Sequence, residues 1–310
     1  MCLVSLKKNS CLCRLKEYST NYCISISIFS KYTSGVLMSE SLNGKIALIT
    51  GAGSSIGMGK EMSLALIEAG AKVAMMDINE ESLSISVNQA REIGGDSCAI
   101  GIVGSIDQWD DAHRAVAQTL NQFDGIHILI NNAGVRTHAK TPTGDSPFWN
   151  LTPEEWQRVI SVNVNGTFMM TLAAIGPMIQ QKWGRIIGVT TSLDTMIRGG
   201  NLPYGPSKAA IEAFIASIAK DLNNTGVTAN VLIPGGATNT NFIPEDTSYI
   251  REELIQPDVM RDPIKWIASE EASEFNGNRV IASKWDNSMP LSQRLALASA
   301  PAAWPQLGRK

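Results

Sequence analysis

The stretch from Lys45 to Asp77 constrains the fold more than any other part of this chain. Lys45-Ile46-Ala47-Leu48-Ile49-Thr50 is a short apolar run of strand length, followed by the glycine-rich Gly51-Ala52-Gly53-Ser54-Ser55-Ile56-Gly57-Met58-Gly59 and a helical stretch to about Ala69. Strand, glycine turn and helix make a phosphate cradle. Glycines let the backbone bend sharply and approach a pyrophosphate, whose charge then faces the free N–H groups at the helix start. A second apolar run, Ala71-Lys72-Val73-Ala74-Met75-Met76, ends at Asp77, about twenty residues past Gly57, where an adenosine ribose would be gripped.

Beyond this unit the chain keeps alternating, with strands expected near 45–50, 72–77, 98–103, 127–131, 185–190, 227–233 and 279–283 and helices between them. Such alternation specifies an α/β fold, a doubly wound parallel sheet of seven strands with helices on both faces. With 310 residues, 44% of them hydrophobic, the chain can fill one large core plus extras. A formal charge of −3 leaves no electrostatic footprint for nucleic acid. No run approaches the roughly eighteen apolar residues of a membrane helix, so a soluble, cytoplasmic protein is expected.

Four of the five cysteines, Cys2, Cys11, Cys13 and Cys23, crowd the N-terminus, without the paired spacing or nearby histidine of a metal site. No metal is expected. Residues 1–37 are basic, rich in serine and without period, and Met38 looks like a natural start, so residues 1–40 read as a dispensable, disordered extension. Residues 41–283 form the nucleotide-binding domain. Within it, 236–262 breaks period and reads as a mobile substrate lid, whose Phe242 and Ile243, with nearby Trp266, suggest a hydrophobic substrate. The tail 284–310 is either an interface arm or disordered.

The residues that carry chemistry sit at strand ends and on one helix. Ile128-Leu129-Ile130 runs into Asn131-Asn132-Ala133-Gly134, and Gly184-Arg185-Ile186-Ile187-Gly188-Val189 runs into the hydroxyls Thr190, Thr191 and Ser192. Ligands of open α/β sheets bind at such carboxyl ends. Tyr204 and Lys208, four apart, share a helix face, and an ammonium beside a phenol favours its phenolate. Thr152-Pro153-Glu154-Glu155 signs a helix start with a capping box, and that helix leads to Asn163, which interrupts an apolar stripe. His113 and His138 read as surface and loop residues, and His127 as a satisfied strand residue.

As a set, the Thr50-Gly51 loop, Asn132-Ala133-Gly134, Asn163, Thr191, Tyr204-x3-Lys208 and Pro234-Gly235 resemble the classical short-chain dehydrogenase/reductase family, over roughly residues 43–283. The resemblance implies an NAD-dependent oxidoreductase that moves a hydride between the cofactor and an alcohol or ketone. It implies a homodimer or homotetramer as well. By it, Tyr204 is the acid/base, Lys208 lowers the Tyr204 pKa and holds the nicotinamide ribose, and Asn163 keeps a water that links Lys208 to solvent. Thr191, thirteen residues before Tyr204, takes the family's serine position, with Ser192 the competing hydroxyl. The cofactor would rest on Gly51, Ser54, Ser55, Ile56, Gly57, Asp77, Ile78, Val103, Gly104, Asn132, Ala133, Gly134, Tyr204, Lys208, Pro234 and Gly235. Several positions depart from the pattern: Ser55 replaces the loop's middle glycine, Val103 an adenine-side Asp or Asn, His127 a strand-four aspartate and Thr191 the serine, and the Asp-Gly-Gly end is missing. Those departures keep a non-catalytic dinucleotide binder open as an alternative. A sugar-nucleotide epimerase or dehydratase also carries Tyr-x3-Lys, but usually with a larger C-terminal domain than the residues after 283 allow.

Overall fold

The computed structural model describes residues 41–137, 147–243 and 249–305. The expectations for residues 1–40 with their four cysteines, and for His138, lie outside the described residues.

Eight strands form one sheet in the order β3-β2-β1-β4-β5-β6-β7-β8. They are β1 (Ile46–Thr50), β2 (Lys72–Asp77), β3 (Ala99–Val103), β4 (Ile128–Asn131), β5 (Gly184–Val189), β6 (Val227–Ile233), β7 (Asn278–Ile281) and β8 (Ser299–Pro301). The first seven pair in parallel. Near-continuous apolar runs such as Ile46-Ala47-Leu48-Ile49 follow from burial on both faces. Ala47 and Ile49 pack to one side with α1 (Met58–Glu68) and α2 (Glu80–Gly94), whereas Ile46 and Leu48 pack to the other with α3 (Trp109–Phe123), α5 (Thr167–Gln180) and α7 (Tyr204–Asp221). Strand order reverses between β2-β1 and β4-β5, which opens a crevice at the carboxyl ends of β1 and β4.

Helix α4 (Pro153–Ile160) starts as the capping box requires: Glu155 N–H donates to Thr152 Oγ1 at 3.2 Å, and Thr152 N–H donates to Glu155 Oε2 at 3.0 Å. It continues through a π-helical turn, Ser161–Gly166, into α5. The continuous helix Pro153–Gln180 contains an 18-residue window with a mean hydropathy of 1.4, long and apolar enough, by length and composition alone, to cross a membrane. The expectation that no run approaches that limit is therefore corrected. Asn, Gly and Thr dilute the apolar residues here without adding charge. Met170, Ala174 and Met178 of this helix are buried in the sheet's core.

Two further expectations change. Trp266, on α8 (Arg261–Ile267), is core rather than lid: it is 1% exposed and stacks within 5.0 Å of Phe275 and 5.3 Å of Trp285, ring centre to ring centre. The sheet has eight strands, not seven, because the C-terminal tail folds back. Helix α9 (Leu291–Ala298) buries Leu295 and Ala298, and β8 then pairs antiparallel with β7. A three-residue Ser-Ala-Pro strand carries no period to read, and its proline suits an edge. Ending the chain at Pro290 should uncover β7 and the apolar surface under α9. The expected cost is about 3 kcal/mol, read by calorimetry as a melting temperature lower by roughly 6–12 °C.

Candidate active site

The crevice is assembled from backbone groups that have no sheet partner. Thr50 Oγ1, at the end of β1, accepts from the N–H groups of Asn132 and Ala133, both at 3.1 Å, and donates to the Ile130 carbonyl at 3.3 Å. Asn132 Nδ2 returns bonds to the carbonyls of Thr50 at 2.9 Å and Gly51 at 3.0 Å. Gly51 takes φ +66°, and a Cβ there would sit 2.8 Å from Ala133 Cα.

The glycine loop then leads into α1, whose N-cap is Gly57. A Cβ on Gly59 would lie 2.3 Å from the Gly51 carbonyl oxygen, so only glycine lets the helix start so close to the turn. Ser55 and Ile56 are exposed, Ser54 is half-buried, and the Ser55 carbonyl accepts from Lys60 Nζ. Beside the loop, Asp77 Oδ2 accepts from Gly53 N–H at 2.8 Å and Oδ1 from Asn79 N–H at 3.1 Å. Asp77 pairs in register with Val103. Ile78 and Val103, 70% and 40% exposed, flank it as apolar surfaces, and Gly104 N–H donates to the Asp77 carbonyl at 3.0 Å.

On the other side of the crevice, Asn163 is fully buried in the π-helical turn. Its Oδ1 accepts from Val135 N–H at 2.7 Å, and its Nδ2 donates to the Val135 carbonyl and to Ser207 Oγ, each at 2.9 Å. Ser207 Oγ donates to the Tyr204 carbonyl at 2.7 Å. The Asn163 amide is thus a clamp joining the segment after Gly134 to the first turn of α7, and both its hydrogens are engaged by protein. Any water would meet other groups of the π-turn, where a widened helix leaves carbonyls out of register.

Tyr204 opens α7. Lys208 Nζ lies 5.8 Å from the Tyr204 ring centre and donates to the Val189 carbonyl at 2.9 Å. Gly134 is the neighbour that leaves room: a Cβ there would lie 3.3 Å from both Lys208 Nζ and Asn163 Oδ1. Burial pushes the Tyr204 phenol up to about 12, the Arg136 guanidinium pulling the other way, and burial brings the Lys208 ammonium down to about 8. The sequence pointed to Lys208 as the cation near Tyr204; Arg136 is a second cation that acts on the phenol.

Strand β5 stops at Val189, and the chain bends before α6 (Leu193–Ile197). Ser192 Oγ caps α6, accepting from Thr195 N–H at 3.3 Å and meeting Thr195 Oγ1 at 2.9 Å. Thr191 is held by its carbonyl, which accepts from Arg279 Nη2 at 3.1 Å, while its hydroxyl has no hydrogen bond among the described residues. Pro234 and Gly235 follow β6; Gly235 takes φ +107°, and a Cβ there would lie 2.0 Å from Ser283 Oγ. From the described part of the 236–262 segment, Asn241 Nδ2 donates to Ser54 Oγ at 3.2 Å, and the Phe242 ring lies 5.1 Å from that of Tyr204. His127 Nδ1 accepts from Ile46 N–H at 3.2 Å, and His113 packs edge-on to Trp109.

Sequence reasoning missed Arg136 and Asn241, which sit in loops without period, and undervalued Thr50 and Ser207, which lie inside its own motifs. Ser207 was discoverable, since it stands between Tyr204 and Lys208 on the helix turn that faces Asn163.

The sequence profile of the short chain dehydrogenase family matches residues 45–248. The chain belongs to the short-chain dehydrogenases. It is 31% identical over 245 residues to a 3-oxoacyl-[acyl-carrier-protein] reductase of Synechocystis sp., covering 76% of this chain and 93% of that one. It is also 31% identical over 249 residues to a 2,5-dichloro-2,5-cyclohexadiene-1,4-diol dehydrogenase of Sphingobium indicum, covering 77% and 95%. A Shigella flexneri short chain dehydrogenase solved in complex with NADP shares the fold, with a TM-score of 0.71, 22% identity, and 79% and 100% of the two chains covered. This short-chain dehydrogenase is an oxidoreductase, and the crevice between β1 and β4 and the Tyr204-Lys208 helix lie within the matched region.

The Lys208 shift has a measurable sign. The folded state releases its proton near pH 8 and the unfolded chain near 10.5, so unfolding takes up a proton in that window and stability rises with pH across it. Below pH 8 both states hold the proton, and above 10.5 neither does. The difference in stability between the natural chain and Lys208→Met should therefore climb by up to about 1.4 kcal/mol per pH unit between 8 and 10.5. Denaturant melts across that range check it, and a flat difference would mean that Lys208 titrates normally.

Proposed function

We propose that this short-chain dehydrogenase is an NAD-dependent alcohol dehydrogenase or carbonyl reductase in which Tyr204 moves the proton. The observation that carries this reading is the convergence of Tyr204, Lys208, Asn163 and Ser207 beside Gly134, next to a glycine cradle that any Cβ at Gly51 or Gly59 would fill. That cradle fits a dinucleotide. Gly51, Ser54, Ser55, Ile56 and Gly57 would meet the pyrophosphate, Asp77 the adenosine ribose, and Ile78, Val103 and Gly104 the adenine. Asn132, Ala133, Gly134, Lys208, Pro234 and Gly235 would meet the nicotinamide half.

Bound there, the nicotinamide supplies or accepts the hydride. In reduction the Tyr204 hydroxyl gives its proton to the carbonyl oxygen, and in oxidation it takes the alcohol proton. A phenol held near 12 is fully protonated at neutral pH, so it is ready to donate. Lys208 holds the ribose hydroxyls. Thr191 donates a hydrogen bond to the substrate oxygen, a role supported by the engagement of Ser192 Oγ in capping α6. Asn163 fixes the distance between the two walls of the site. NAD is the preferred cofactor because Asp77 accepts from a free 2′-hydroxyl and repels a 2′-phosphate, and neither Ser54 nor Ile78 offers a cation. The exposed stripe Phe168, Leu172 and Ile179 on α5 supports association of two or more copies.

Replacing Tyr204 with Phe should leave NADH binding, followed by fluorescence, nearly intact while turnover of a ketone panel falls by roughly 10²–10⁴. Near-normal kcat in that variant would overturn the proton path. The natural chain should favour NAD over NADP in kcat/KM, and Asp77→Asn, which removes the charge but keeps an acceptor for Gly53, should narrow that preference. Equal or better use of NADP by the natural chain would refute the role given to Asp77.

A further inference from the structure

Arg136 stands two residues beyond Gly134, on backbone that is held from both sides. Asn163 binds the N–H and carbonyl of Val135 at 2.7 and 2.9 Å, and Arg158 Nη2 donates to the Arg136 carbonyl at 2.5 Å. The backbone that carries Arg136 is therefore held by the same buried amide that reaches the Tyr204 carbonyl through Ser207. Its guanidinium carbon lies 5.8 Å from the centre of the Phe242 ring, and that ring lies 5.1 Å from the ring of Tyr204. The side chain is half-buried, and among the described residues no carboxylate pairs with it. Arg114 and Arg261, by contrast, each meet an acid, and Arg185 and Arg251 donate to backbone carbonyls.

A guanidinium set one aromatic ring away from the Tyr204 phenol, partly out of water and with no acid partner among the described residues, can receive a planar anion. Its fork matches two carboxylate oxygens, and the loss of water strengthens the bond. The Phe242 face would cover the carbon chain between that anion and Tyr204. We infer that Arg136 binds the carboxylate of an oxo-acid or hydroxy-acid substrate whose carbonyl or carbinol carbon is presented to Tyr204. A phosphate is less suited, since a second cation would be needed to neutralise it and Phe242 lines that side instead. This inference rests on the oxidoreductase reading above and narrows it to acids.

The test compares 2-oxo, 3-oxo and 4-oxo carboxylates, each beside the uncharged methyl ketone of the same length, by NADH consumption in the full chain and in Arg136→Gln and Arg136→Lys. In the natural chain the best acid should exceed its neutral partner in kcat/KM by at least about tenfold. Arg136→Gln should bring that ratio close to one, mainly by raising KM for the acid, and Arg136→Lys should restore part of it. A natural ratio near one overturns the assignment. So does an equal loss for acids and ketones in Arg136→Gln, which would mean that Arg136 acts only on Tyr204. If the natural chain reduces neither series, the oxidoreductase reading fails, and calorimetric titration with 3-oxobutanoate judges Arg136 by itself. Binding that Arg136→Gln abolishes upholds the carboxylate site; equal binding, or none in either protein, refutes it.

Discussion

A parallel sheet leaves unpaired backbone groups wherever its strands stop, and the clasp between Thr50 and Asn132 resolves that at the strand-order switch. One hydroxyl serves two N–H groups of the β4 turn, and one amide serves two carbonyls of the β1 turn. Because these groups satisfy each other, the two strand ends can diverge and leave a crevice, with Asn131 Oδ1 at the end of β4 left as a buried atom without a hydrogen-bond partner among the described residues. The close approach of Gly51 to Ala133, and of Gly59 to Gly51, follows from the same clasp. The glycine turn after β1 and the turn after β4 take their positions from it.

The opposite end of the sheet is fixed by a buried ion pair. Glu212 on α7 is fully buried, with Oε1 3.5 Å from Arg279 Nη1 on β7 and Oε2 accepting from Thr190 Oγ1 at 3.1 Å. Arg279 also holds the Thr191 carbonyl, and Ala303 N–H donates to Glu212 Oε1 at 3.3 Å. The tail, the last parallel strand, the Tyr204 helix and the end of β5 thereby share one network. A charge so deeply buried is tolerated only when it is paired and hydrogen-bonded, so breaking either partner would loosen the hydroxyl-bearing turn as well as the core.

Between these two anchors, Asn163 sets the width of the site. A π-helical turn widens the helix and aims one amide at both Val135 and Ser207, which ties the segment carrying Arg136 to the turn carrying Tyr204. The proposed proton donor and the proposed anion receptor are thus spaced by one buried side chain. Burial also decides their electrostatics: desolvation outweighs the neighbouring cation at Tyr204, so the phenol stays protonated.

Local sequence was sufficient for most of the architecture. Apolar runs ending in glycine, amide or hydroxyl residues marked seven parallel strands, and Thr152 with Glu155 marked a helix start, because each of those signals is a backbone preference acting over a few residues. Family spacing brought Tyr204, Lys208, Asn163 and Thr191 to notice for the same reason. Tertiary structure alone decided that Trp266 is core and not lid, since its burial depends on the Phe275 and Trp285 rings that pack against it. It alone revealed β8, a three-residue strand stabilised by its pairing with β7 and not by any propensity of its own. It also decided that Ser192 caps a helix, that the Asn163 amide is a clamp, and that Arg136 adds a second cation near Tyr204. Those facts rest on distances between segments far apart in the chain, and such distances exist only once the sheet has closed.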